Sequence, residues 1–484
     1  MPQSPRGSLT LHEILSSCGT AKGNLLEAIS RCGDEFYSNA AKRLFGGGHV
    51  LRKATDAESC WIGARLIWLS PGTKFTTRIS IVSSRLDRKL DQHDEWFDAL
   101  RTAVLRQSAR QACFLISSGS TASPYVSRCT ELFGRLSVEI VMPSGNDIEA
   151  WIRDRIFSVE PTGPTVTLSP PLAGEDGDAV AREIASVPLH DRAMFALSDR
   201  IVALRVRRGG HMVMLLQHAL QSKVFEPGTI RIHIGSRPEP TANDLLSLGA
   251  AGWHIVESKT ENASGTAVHA AAYQDRPSIG TIDSIPMKRY LTHWTRRQPG
   301  PWPNQAQQEF IDELLLALPS KDRSALASLA RITAQQQLLA SNRISRSGPP
   351  AVSFTSVPLQ DWGDRRTFRV HRSRWDFEPY GICIDRDWLE RSGTRAVVYG
   401  DESTWASLDA EHRPFFQPAK TITKSGDEID WTEEQEHRHL GNVDLAAIAD
   451  DAACVFVPTI EEAEHLMQIS RWPVIVVGHK KRSA

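Results

Sequence analysis

From Arg78 onward, short apolar runs rich in β-branched residues alternate with helical patterns of about ten residues, and this alternation is the strongest constraint on the fold. Ile79 to Val82, Cys113 to Ile116 and Val138 to Val141 read as strands, with helices from His93 to Arg106 and from Pro124 to Phe133 between them. Strands separated by helices of that length pair side by side in parallel, because the crossover is too long for a hairpin. After a Pro- and Gly-rich stretch from Glu160 to Gly177, the plan repeats: strand Ile201 to Val206, helix His211 to Gln221, strand Ile230 to Ile234, helix Asn243 to Leu248, strand Trp253 to Val256. These stretches read as one large or two small doubly wound units, divided as an α/β unit over 1–160 with an N-terminal helical extension and a second α/β unit over 178–256. Ser, Thr, Ala and Gly then crowd residues 257 to 286, marking a boundary. Beyond it, 287–480 reads as an α+β domain, with helices over 305–318 and 322–341 among short strands.

Charge confines any contact with nucleic acid or anionic lipid to a local patch. Lys plus Arg number 56 against 57 Asp plus Glu in 484 residues, so no global field draws the chain onto nucleic acid or anionic lipid. The seven cysteines are scattered with no Cys-x-x-Cys pair, which fits a reducing compartment and argues against a thiolate metal site. Residues 1–8 lack an apolar signal core, and runs such as Pro473 to Val477 are too short to span a bilayer. The expectation is a cytoplasmic protein without a membrane segment.

Two turns of the first half are candidate phosphate cradles. Gly119, Ser120 and Thr121 follow a strand and open a helix, with Ser123 placed to cap it and Pro124 suited to its first turn. Arg207, Arg208, Gly209 and Gly210 occupy the equivalent place after a later strand and add two guanidinium groups. Free N–H groups at such a turn favour an anion, although any strand-to-helix turn also needs glycine and a cap. The order of elements over residues 60–256 resembles the Rossmann-like nucleotide-sensing domains that stand beside effectors in bacterial defence proteins. That resemblance implies a nucleotide-type ligand.

The last 200 residues carry polar groups beside strand-like runs: Thr292 and His293, Ser353 and Thr355, Tyr380, and Glu434, Glu436 and Arg438. On an extended strand Glu434 and Glu436 share a face, as do Ser353 and Thr355. His437 and His439 near Glu436 lack a third ligand at clear spacing, and no metal is predicted. Taken together, the histidine, the Ser-Phe-Thr-Ser strand, the mid-domain tyrosine and the late Glu-x-Glu resemble the ADP-ribosyltransferase superfamily. Glu436-His437-Arg438 and the Tyr380-Gly381-Ile382 strand are also similar to an uncharacterised bacterial family linked with phage defence. The first resemblance implies NAD as substrate, with Glu436 stabilising an oxocarbenium-like ribose and Glu434 acting on the acceptor. It further implies that His293 binds ribose or amide, that Tyr380 stacks on nicotinamide, and that Ser353, Thr355, Thr292 and Arg438 line the cofactor site. A rival reading needs no enzyme. Trp362 and Trp375, interleaved with Arg365, Arg366, Arg369, Arg372 and Arg374, make a candidate nucleic-acid surface.

Overall fold

The computed structural model describes residues 47–478 together with 39, 42 and 43, except for 74–76, 88, 109–110, 159–162, 173–179, 223, 237–239, 256–277, 287–288, 343–347, 362, 364–367, 370–373, 376, 423–425 and 427. The chain divides into two compact units, residues 1–262 with 306–318, and residues 263–305 with 319–484.

The first unit is a nine-stranded sheet flanked by helices. Its strands are β1 (Val50–Lys53), β2 (Leu66–Leu69), β3 (Thr77–Val82), β4 (Ala112–Ser117), β5 (Ser137–Val141), β6 (Thr165–Leu168), β7 (Arg200–Ala203), β8 (Ile230–His233) and β9 (Ala251–Trp253). Their order is β1-β2-β6-β5-β4-β3-β7-β8-β9. Strands β3 to β9 are mutually parallel where they pair, and β1 and β2 run antiparallel at one edge. The expected separation into units over 1–160 and 178–256 does not hold. β3 hydrogen-bonds to β4 on one side and β7 on the other, so both stretches build one sheet. The chain adds β4, β5 and β6 outward in one direction, then returns past β3 to add β7, β8 and β9 in the other.

Both faces of this sheet are covered, which is why its strands read as nearly unbroken apolar runs. In β4, Cys113 and Leu115 enter one core while Phe114 and Ile116 enter the other. The helices are α1 (Asp56–Ile62), α2 (Asp94–Leu105), α3 (Ser123–Leu132), α4 (Ile148–Phe157), α5 (Leu189–Ala196), α6 (His211–Gln221) and α7 (Pro240–Ser247). Residues of α5, α6 and α7 fill the Cys113 side, and those of α2 and α3 the Phe114 side. α1 starts from a capping box in which Thr55 and Glu58 each satisfy the other's backbone N–H, and Arg52 grips the Glu58 carboxylate at 2.6 and 2.7 Å. An eighth helix, α8 (Gln307–Leu316), comes from far along the chain and buries Phe310, Leu314 and Leu315 beside α2 and α3.

The second unit holds an eight-stranded, mostly antiparallel sheet. Its strands are β10 (Ile279–Thr281), β11 (Tyr290–Trp294), β12 (Ala351–Thr355), β13 (Gly381–Asp385), β14 (Arg395–Ala396), β15 (Glu436–Leu440), β16 (Ala453–Val457) and β17 (Val474–Val476), in the order β10-β17-β16-β13-β11-β12-β15-β14. One face carries Leu291, Val352, Phe354, Ile382, Ile384, Val455 and Val457 against α9 (Ala325–Gln335), α10 (Arg386–Arg391) and α12 (Ile460–Leu466); α11 (Glu402–Ser407) lies in the stretch between β14 and β15. The α+β expectation for this part of the chain agrees with that architecture. Among the described residues no helix is long and apolar enough to cross a membrane.

Candidate functional site

In a parallel sheet whose order reverses, the loops leaving the carboxyl ends of the two diverging strands splay apart and open a crevice. Here the reversal lies at β3 and β7. A cavity of about 470 Å³ opens at that edge, lined by Gln92, His93, Glu95 and Trp96 after β3, by Leu204, Arg205 and Val206 after β7, and by His233, Ile234 and Gly235 at the end of β8. A pocket of this size falls in the range of small-molecule sites. Its walls are mixed in character. Burial holds His233 below the ordinary imidazole value, with the nearby Glu95 carboxylate pulling the other way. His93 Nε2 stands 3.1 Å from the Asp87 carboxylate. Glu95, on the first turn of α2, accepts the Ser236 N–H at 2.6 Å and the Ser236 hydroxyl at 3.0 Å, which ties the loop after β8 to α2. A Cβ at Gly235 would stand 3.0 Å from Glu95, so glycine gives that loop its close approach.

The two expected phosphate cradles follow β4 and β7, which both run parallel to β3, so they lie at the same edge of the sheet. Gly119 has φ +106°, a backbone that favours glycine, and a Cβ there would sit 3.4 Å from the His190 ring. His190 Nε2 is 3.7 Å from the Asp191 carboxylate on the first turn of α5. The Asp191 carboxyl is pushed up by burial, against the pull of His190 and of His211, the first residue of α6. Gly210 caps α6 without a side-chain bond, Gly209 takes φ +72°, and Arg207 and Arg208 are exposed. Ser120 is buried and Thr121 exposed. The capping role expected of Ser123 is not observed: helix α3 begins at Ser123 itself, and its hydroxyl donates to the Ser117 carbonyl at 2.5 Å.

The C-terminal candidates do not form one constellation. The register settles their faces. Thr292 pairs with Thr355, and Thr355 with Glu436, so those three side chains share a face, as Ser353 and its partner Arg438 do. His293, one residue on, points the other way and meets the Phe354 ring edge-on at 5.8 Å. Tyr380 packs with His293's face and donates its hydroxyl to Glu462 at 2.8 Å. The convergence of His293, Tyr380 and Glu436 implied by the transferase resemblance is therefore absent.

Glu436 and Arg438 form a closed assembly. Arg438 is fully buried and places Nε and Nη2 on the two Glu436 oxygens, each at 3.0 Å. Its other donors go to the carbonyls of Pro414 and Phe416 and to the Gln417 side chain at 2.8–3.0 Å. All five guanidinium donors are thus used within the unit, which corrects the expectation that Arg438 holds a cofactor. Glu434 is off the strand. Residues Thr432–Glu434 form a 3-10 turn and Gln435 takes φ +45°, so Glu434 and Glu436 do not share a face. Thr355 donates to the Glu434 carbonyl at 2.6 Å rather than supporting the Glu436 carboxylate, and the Thr292 hydroxyl meets the Cys383 sulfur at 3.4 Å. His293 Nδ1 donates to the Ser353 carbonyl at 2.9 Å, which fixes the tautomer of the neutral ring, and burial holds its pKa down.

Glu462 and the cavity residues Glu95 and His233 escaped the sequence reading. Glu462 sits in an ordinary amphipathic helix, and nothing in its spacing points to Tyr380. Trp362, Arg365, Arg366 and Arg372 lie outside the described residues, as do the side chains of Arg369, Arg374 and Trp375. Among the described residues no group of three or more His, Cys, Asp or Glu side chains is arranged to hold a metal ion. No family model, no curated protein and no solved structure matches this chain.

Proposed function

We propose that the N-terminal unit binds a phosphate-bearing small molecule of the nucleotide class across the carboxyl edge of a Rossmann-like sheet. The observation that carries this reading is the cavity at the reversal of strand order, whose lining residues Arg205 and Val206 run directly into the turn Arg207 to Gly210. The cavity takes the base and sugar, offering Trp96 and His233 as ring surfaces and Gln92 as a hydrogen-bonding amide. Arg207, Arg208 and the open first turn of α6 take the phosphates. No glycine-rich dinucleotide fingerprint is present, so recognition rests on side chains gathered from three loops.

The NAD-cleaving chemistry suggested for the C-terminal unit lacks comparable support. It needs an available carboxylate facing the histidine and the tyrosine, whereas Glu436 is held by Arg438 on the opposite side of the sheet.

Thermal unfolding of the full chain with a panel of nucleoside mono-, di- and triphosphates and NAD tests the proposal. A ligand that binds only the folded state raises the midpoint, by about 2.7 kcal/mol of stability at a hundredfold excess over Kd. The Arg207→Ala, Arg208→Ala double variant loses most of that shift for phosphorylated ligands. A panel that moves neither the midpoint nor a calorimetric titration sinks the reading.

A further inference from the structure

Residues 306–318 leave the C-terminal unit's stretch of sequence and belong to the N-terminal unit. The excursion is held at both ends. At its base, within the C-terminal unit, the buried Arg323 donates to the Gln305 side chain at 3.0 Å and to the Gly300 carbonyl at 3.1 Å. Its guanidinium also lies over the Trp302 ring at 4.5 Å. These bonds staple the residues before the excursion to those after it. At its tip, within the N-terminal unit, Asp312 accepts two bonds from Arg128 of α3 at 2.7 and 2.6 Å, and the Leu315 carbonyl accepts from Arg101 of α2 at 3.1 Å. Phe310, Leu314 and Leu315 are fully buried in the cluster that contains Trp96, Phe97 and Leu100 of α2.

Trp96 joins this cluster to the cavity. It lines the cavity and stands edge-on to Phe97 and Tyr125, at 5.0 and 5.6 Å between ring centres. A molecule seated against Trp96 presses on the same packed rings that hold α8. Close-packed interiors transmit strain, so a shared cluster gives the cavity and α8 a physical route for coupling.

We propose that α8 is a docking strap: the groove between α2 and α3 is an interaction surface whose occupant is this chain's own segment 306–318, and its seating is coupled to the carboxyl-edge cavity. The proposal rests on the ligand-binding reading for its purpose.

The coupling is reciprocal, so it is measurable without any ligand. Hydrogen exchange of the full chain is compared for wild type and Asp312→Ala, which removes the fork to Arg128 but leaves Arg128 its contact with Glu131. Exchange of 307–316 rises about tenfold or more, the scale of one lost charged hydrogen-bonded pair in a local opening. Exchange of 94–97 and 230–235 rises with it, while 351–355 is unchanged. If 307–316 loosens and 94–97 and 230–235 do not, the coupling is overturned. Should Asp312→Ala leave α8 as tight as before, Leu314→Ala is judged by the same comparison. Failure of every nucleotide to bind would overturn the ligand assignment alone, since the exchange comparison contains no ligand.

Discussion

At the scale of single residues, Arg438 is the side chain whose loss costs most, because it is buried and ion-paired. Removing one member of a buried ion pair leaves the other charge dehydrated, at a cost of about 3–5 kcal/mol, whereas the intact pair adds little over a well-packed apolar substitute. Arg438→Ala also deprives the Pro414 and Phe416 carbonyls of their donor. Urea unfolding should therefore show Arg438→Ala losing about 3 kcal/mol or more, with Glu436→Gln losing less because its amide retains hydrogen-bonding capacity. A loss under about 1 kcal/mol for Arg438→Ala would mean that the pair is solvated. Acid sensitivity follows from the histidines. His233, His293 and His437 are all held below the ordinary imidazole value by burial, so the unfolded chain takes up protons before the folded one. The stability they leave intact at neutral pH is lost as pH falls through the imidazole range. Asp191 has the opposite sign: its folded carboxyl holds the proton more tightly, so ionising it costs stability as pH rises from the ordinary carboxylate range through its raised value. Between pH 8 and 5, thermal midpoints of His293→Asn should fall less steeply than those of wild type. Parallel slopes would remove His293 from this account.

At the scale of elements, helix ends offer a test free of any functional reading. α9 ends at Gln336 with φ +51°, a left-handed conformation that costs a residue with a Cβ about 1 kcal/mol. Gln336→Gly should stabilise the second unit by about 0.5–1 kcal/mol, part of the gain being offset by the freer unfolded glycine; a destabilised variant would show that the Gln336 side chain contributes more than its backbone strain. The elements themselves were legible. Phe310, Leu314 and Leu315 mark one helix and Leu326, Leu329 and Ile332 the next, and the strand patterns from Ile79 to Trp253 find their places in the large sheet. Facing was not. Whether His293 or Thr292 shares a side with Glu436 depends on which β11 residue meets Thr355, and a one-residue slip exchanges the faces. Alternation also presumes extended backbone, which Gln435 breaks, so the pattern places Glu434 on a strand that it does not occupy. The cavity was illegible for a different reason: its walls come from three loops that only the crossover at β3 brings together.

At the scale of the whole molecule, the N-terminal unit is incomplete in its own stretch of sequence. A fragment of residues 1–262 leaves open the groove that Phe310, Leu314 and Leu315 fill. Each such side chain contributes about 1.5–3 kcal/mol when buried. Joined to 306–318 through a flexible Gly/Ser linker, the fragment should melt at least 10 °C higher than without it, given about 2–4 °C per kcal/mol in a chain of this size. Equal melting temperatures would show that α8 adds nothing to that core. The same arrangement bears on how the protein is made. Synthesis proceeds at about 5–20 residues per second, so the nascent sheet waits several seconds, its aromatic groove uncovered, until the ribosome delivers the helix that seals it. During that interval the half-finished chain is a client for chaperones, and slowing translation between Asn262 and Leu318 would lengthen the period in which it can be lost to aggregation.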